Sequence, residues 1–139
     1  MNRGCLTATA LISSATLVGL LFYYFRVYPS ARISIASAYC MSLEDALAEH
    51  NQEHGPLSST ENQRIFEVLL GDNPMQTNYL EERLRFQLDE KGRAIDPWSS
   101  PFEIQPDFRV ISPGPDKVLR TEDDVTSAEA RKSLPQEPS

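Results

Sequence analysis

Chemistry in this chain is concentrated near its C-terminal end. There Pro113-Gly114-Pro115-Asp116 is followed by Thr121-Glu122-Asp123-Asp124, within a glycine-, proline- and aspartate-rich stretch from Ser112 to Asp124. Carboxylates are hard oxygen ligands, and calcium takes about six to eight oxygens at about 2.3–2.6 Å. Three carboxylates, Asp116, Asp123 and Asp124, on a loop that folds back between Asp116 and Asp123 can supply about half of such a shell, with backbone carbonyls and water completing it. The pattern is not an EF-hand: the acids do not alternate, and the central glycine and terminal bidentate glutamate are missing. The residues alone also fit a solvated acidic loop. Composition favours that second reading, because like charges on exposed loops usually go unpaired.

The remaining reactive side chains point to no catalysis. His50 and His54 are four apart, a spacing that can hold zinc with both rings on one helix face. No cysteine pair or third ligand accompanies them, so a structural or surface role is favoured. Glu81-Glu82 and Asp89-Glu90 read as solvated carboxylates, and Ser58 and Ser59 have no nucleophile motif around them. Trp98, the single tryptophan, suits an anchor for a small sheet against the N-terminal helix better than a ligand-stacking platform. No enzyme is expected.

The element that organises the rest is N-terminal. From Leu6 to Phe25 there is no charge and no proline, and at about 1.5 Å per helical residue such a run matches a bilayer's hydrocarbon core. We read 6–25 as a transmembrane helix preceded by a short leader-like segment, 1–5. A cleaved signal peptide fits less well, because the small-residue site Ala36-Ser37-Ala38 lies too far beyond the run. Beyond Arg26 the helix turns amphipathic, with Ile33, Ala36, Cys40, Leu43 and Leu47 at intervals of three and four. Pro29 is expected to kink it, and Tyr23, Tyr24 and Tyr28 suit an interfacial belt. Cys5 and Cys40 would lie about 50 Å apart on one helix, too far for a disulfide.

The chain has 139 residues, with 13 Lys and Arg against 20 Asp and Glu. Every acid lies after Phe25. That balance repels phosphate backbones, so nucleic acid is not an expected partner. The length left after the span suits one small head, 26–125. His54-Gly55-Pro56 stops the long helix. A second helix is expected from Ser59 or Thr60, with Ile65, Phe66, Leu69 and Leu70 as its apolar face and Gly71-Asp72-Asn73-Pro74 as its stop. Tyr79 to Leu88 reads as a short helix turning into an extended segment, followed by a turn at Asp89-Glu90-Lys91-Gly92. Phe102–Gln105 and Phe108–Ile111 read as two short strands around Pro106-Asp107. The tail, 126–139, has little to bury and is expected to be disordered.

Three stretches in order, GPLSSTENQRIFEVLLGDNP, LDEKGRAIDPWSSPFEI and RVISPGPDKVLRTEDDV, resemble the C-terminal region of type II secretion pseudopilins, particularly the major, G-type pseudopilin. That family carries a DPWG-x-P stretch, a short antiparallel sheet and a terminal GPDG-x-x-G-T-x-DD loop. The resemblance runs from about Ile33 to Val125. It implies a pilin-like α+β fold, with a long N-terminal helix, short helices and a small antiparallel sheet. It also implies a structural role: a single-pass inner-membrane subunit with its acidic head in the periplasm. Such a subunit assembles with itself or other pseudopilins, and with the inner-membrane secretion machinery, into a short filament for protein secretion. In the family the terminal loop binds calcium through three aspartates, and the matching positions are Asp116, Asp123 and Asp124.

The family is cut by a prepilin peptidase after a glycine that follows a basic residue, and Arg3-Gly4 before Cys5 stands at such a junction. The family's phenylalanine after the cut and its glutamate at the fifth mature position are here Cys5 and Thr9. Ser99, Lys117 and Arg120 replace family glycines, which removes an easy positive-φ conformation at each. These departures keep an alternative open: a membrane-tethered, pseudopilin-derived binding module that does not polymerise.

Overall fold

A computed structural model describes residues 16–80 and 86–133, which fall into two compact units dividing between Arg32 and Ile33. Half of the expected 6–25 span, residues 6–15, lies outside the described residues, as do the Gly4–Cys5 junction and Glu81-Glu82. Among the described residues, no helix is long and apolar enough to cross a membrane.

In the first unit, residues 16–22 are helical and lead into a π-helical turn, Tyr23–Val27, where the Tyr28 amide reaches back to the Tyr23 carbonyl. This wide turn lies directly ahead of Pro29. A proline has no amide to donate and its ring crowds the carbonyl four residues back, so widening the preceding turn lets the helix continue past it. Leu17, Val18, Leu20, Leu21, Phe22, Tyr23 and Tyr24 are all exposed. Tyr24 and Tyr28 stack at 6.1 Å, and the Arg32 guanidinium sits 4.5 Å over the Tyr28 ring, a cation–π contact.

The second unit is α+β. Helix α1 (Tyr28–His54) enters it with Ala36, Ser37, Cys40, Leu43, Ala46, Leu47 and His50 buried. This is the expected face, except that Ile33 is exposed. The stop is as expected: the Gly55 amide bonds the Asn51 carbonyl at 3.0 Å, and Gly55 takes φ +82°.

Helix α2 (Asn62–Leu69) begins two to three residues later than the hydroxyl residues suggested. Ser59 Oγ accepts the Glu61 amide at 3.0 Å, and the N-cap Glu61 makes no side-chain cap bond. Asn62 instead turns its amide inward, donating to the carbonyls of Ala94 (3.2 Å) and Phe102 (2.7 Å) and accepting the Ala94 amide (2.8 Å). The helix ends at Gly71 with φ +119°, where the Asp72 amide reaches the Glu67 carbonyl at 3.0 Å.

Four two-residue strands follow: β1 (Gln87–Leu88), β2 (Ala94–Ile95), β3 (Glu103–Ile104) and β4 (Val110–Ile111). They pair antiparallel as β1–β2 and β3–β4, with Leu88 opposite Ala94 and Ile104 opposite Val110. The expected turn at Asp89–Gly92 joins the first pair. The second pair has the expected hairpin, with strands shorter than anticipated. An isolated bridge between Ile95 and Pro101 links the two.

The core gathers Leu43, Leu47, Ile65, Phe66, Leu69, Phe102 and Val110, flanked by Tyr39 and Phe86, whose ring centroids are 4.7 Å apart. Trp98 is not part of this core but only half-buried. The turn that carries it is fixed by a buried Asp96, so its expected anchoring role falls to a carboxylate.

Beyond Val125 the described residues, to Ser133, include helix α3 (Ala128–Lys132). Composition alone suggested disorder there, yet the buried Ser37 of α1 donates to the Thr126 carbonyl (2.6 Å) and accepts the Ala130 amide (2.9 Å). Arg131 adds bonds to Glu44 (3.0 Å) and Asp45 (3.1 Å). Polar contacts thus dock a segment that has little apolar surface of its own to bury.

Candidate functional site

The acidic loop is closed at its base by a bridge between Ser112 and Val125, whose amides and carbonyls exchange two bonds of 2.9 Å. Asp116 and Asp123-Asp124 therefore sit on one closed loop. Gly114 takes φ +71°, and a Cβ there would lie 2.0 Å from the Asp123 carbonyl oxygen. Only glycine permits that approach. Lys117 and Arg120 take φ +62° and +69°, and Ser99 takes +65°. The left-handed backbone expected to be lost with the glycines is present at all three positions, at about 1–2 kcal/mol for each non-glycine residue.

Two carboxylates organise the loop interior. Asp116 Oδ1 accepts the Val118 amide at 2.9 Å, and Asp124 Oδ2 accepts the Arg120 amide at 2.8 Å. These bonds explain how Arg120 is held in its strained conformation. Asp124 Oδ1 is buried without a hydrogen-bond partner. A buried acceptor left unpaired costs about 1–3 kcal/mol, so this oxygen is chemically suited to a cation or its water. Asp116 and Asp123 are exposed. Among the described residues, no three His, Cys, Asp or Glu side chains converge as a metal-binding group.

The loop is tied to the preceding turn by a relay that sequence reasoning did not single out. Asp96, 2% exposed, accepts the amides of Trp98 (2.9 Å) and Ser100 (2.8 Å) on Oδ1 and the Ser112 hydroxyl (2.6 Å) on Oδ2. Ser112 Oγ in turn accepts the Gly114 amide at 3.2 Å. The signal was the aspartate of Asp96-Pro97-Trp98, overshadowed by the tryptophan beside it.

No known protein family, curated protein or solved structure matches this chain. The site must therefore be read from its own geometry.

Elsewhere in the second unit, a cleft of about 310 Å³ lies between Glu44, residues 109–111, Thr126 and Arg131. Its glutamate is engaged: Oε1 accepts the Val110 amide at 3.1 Å, and Oε2 pairs with Arg131. The two histidines do share a face, with ring centroids 5.0 Å apart, and Tyr79 packs edge-on to both.

Proposed function

We propose that this chain is a membrane-anchored structural subunit of the type II secretion pseudopilin kind, assembling through its N-terminal helix with copies of itself or other pseudopilins. The product is a short periplasmic filament attached to the inner-membrane secretion machinery. The observation that carries this reading is a backbone one. Ser99, Lys117 and Arg120, which stand where the resembled motifs have glycine, all adopt positive φ. A side-chain-bearing residue adopts that conformation only where the surroundings impose it. Chance likeness of composition gives no reason for it at those three positions.

Two further observations support the reading. The exposed apolar residues from Leu17 to Tyr24 continue the uncharged run that begins at Leu6 and suit a lipid or subunit environment. On the loop, calcium is assigned to Asp116, Asp123 and Asp124, with the unpartnered Asp124 oxygen as the observation that fits it. An ion bound only by the closed loop stabilises it by RT ln(1 + [Ca]/Kd). Thr9, at the position of the family's glutamate, favours a second reading, the tethered module that does not polymerise.

Expression of the full chain alongside a prepilin peptidase tests the assignment. Loss of residues 1–4, an N-methylated Cys5 and a ladder of cross-linked multimers in the membrane fraction are expected. An uncleaved chain that cross-links only as a monomer overturns the filament reading in favour of the tethered module. Melting the purified full chain in EGTA and in millimolar calcium tests the loop: a rise abolished by Asp124→Ala is expected, and no rise in the folded wild type refutes the calcium assignment.

A further inference from the structure

We propose that His50 and His54 form a two-histidine chelate for a borderline transition-metal dication of the zinc or copper(II) class. Helix α1 places the two imidazoles one turn apart on one face, with ring centroids 5.0 Å apart and planes inclined at 52°. Two imidazoles bonded at about 2.0–2.1 Å to one tetrahedral ion have centroids about 5 Å apart. The rings therefore stand at the separation that a shared ion needs.

The second observation concerns their nitrogens. His50 is 4% exposed, and both its Nδ1 and the Nε2 of His54 are buried with no hydrogen-bond partner. Buried side-chain nitrogens normally have a partner. The buried Ser37, Asn62, Asp96 and Ser112 of this head are hydrogen-bonded, and among the described residues the two imidazole nitrogens share their unpaired state only with Asn51 Oδ1 and Asp124 Oδ1. An imidazole serving only as core filler gains nothing from leaving such an atom unpaired, whereas a ligand nitrogen must be unpaired to bind.

The surroundings suit a dication. Tyr79 donates a 2.6 Å hydrogen bond to Glu53 Oε2, which holds that oxygen 3.8 Å from His54 Nε2. A carboxylate there opposes the charge of the ion and accepts from its bound water, as outer-shell groups do at metal centres. No third His, Cys, Asp or Glu joins as a ligand among the described residues. The centre is thus open, with water in the remaining positions, and weaker than a four-ligand structural zinc site.

The test is copper(II) and zinc titration of the EDTA-treated full chain in detergent. One copper(II) per chain, with an electron paramagnetic resonance spectrum showing two coordinated imidazole nitrogens, is expected, together with a zinc-dependent rise in melting temperature. Calcium, which seeks oxygen ligands, should not displace the copper. Because His54 is only partly buried, with its side chain 18% exposed, His54→Gln is the decisive variant. It should keep the wild-type melting temperature in EDTA, lower copper affinity at least tenfold and remove one nitrogen from the spectrum. Unchanged affinity and spectrum in His54→Gln, or no nitrogen-ligated copper in the wild type, overturns the proposal.

Discussion

The hydroxyl of Ser112 donates a 2.6 Å hydrogen bond to Oδ2 of Asp96, sixteen residues earlier, and both residues are almost fully buried. This one contact joins the tryptophan-bearing turn to the base of the acidic loop. With the Trp98 and Ser100 amides on its other oxygen, Asp96 satisfies three donors at once, two of them in buried bonds. Asp96→Ala is expected to cost about 3 kcal/mol or more in urea denaturation at an unchanged m-value. Asp96→Asn, which retains an acceptor for the two amides, should cost distinctly less.

The loop's backbone makes opposite demands at neighbouring positions. Gly114→Ala forces a methyl group against the Asp123 carbonyl and is expected to destabilise by about 2 kcal/mol or more. Lys117→Gly and Arg120→Gly relieve left-handed strain and should each gain up to about 1 kcal/mol. Thermal melts of the three single variants against wild type read both signs.

Docking of helix α3 rests on a buried hydroxyl more than on its ion pairs. Ser37→Ala strands the Ala130 amide and removes the hydroxyl that donates to the Thr126 carbonyl, with an expected loss of about 1–3 kcal/mol. The Arg131 side chain is 47% exposed in its pairs with Glu44 and Asp45, so Arg131→Ala should cost less than about 1 kcal/mol. Hydrogen exchange of residues 126–133 should rise sharply in the first variant and slightly in the second.

Acid weakens the head in a direction set by its paired aspartates. The Arg93 amide and guanidinium hold the Asp89 carboxyl below the usual aspartate range, and the Arg109 guanidinium does the same for Asp107. A group whose pKa is lower in the folded state contributes stability above its unfolded value of about 3.9, and that stability is lost as pH falls through the lower, folded value. The melting temperature should therefore fall below about pH 4. Asp89→Asn should flatten that part of the profile while lowering stability at pH 7.

Burial, reinforced by the Glu44 charge, pushes the Cys40 thiol up to about 12. Thiolate is the nucleophile, so at pH 8 iodoacetamide should leave Cys40 unmodified in the native chain. Mass spectrometry of the peptide spanning it should show alkylation only above the urea midpoint.

What the sequence determined by itself was local. The three- and four-residue spacing of Ala36, Cys40, Leu43 and Leu47 marked the buried face of α1. Glycine ended α1 at Gly55 and α2 at Gly71, because the left-handed cap is a property of one residue and its neighbours. The Asp89–Gly92 turn and the Pro106-Asp107 hairpin were legible on the same ground. Tertiary structure decided whatever depended on a partner far along the chain. Asn62 rather than Ser59 or Thr60 opens α2, because its amide answers carbonyls 32 and 40 residues away. Asp96 outranks Trp98 because Ser112 lies opposite it, and the segment after Val125 folds because Ser37 waits on α1. A buried polar group is stable only where its donors and acceptors meet, and no spacing along the chain records such meetings between distant residues.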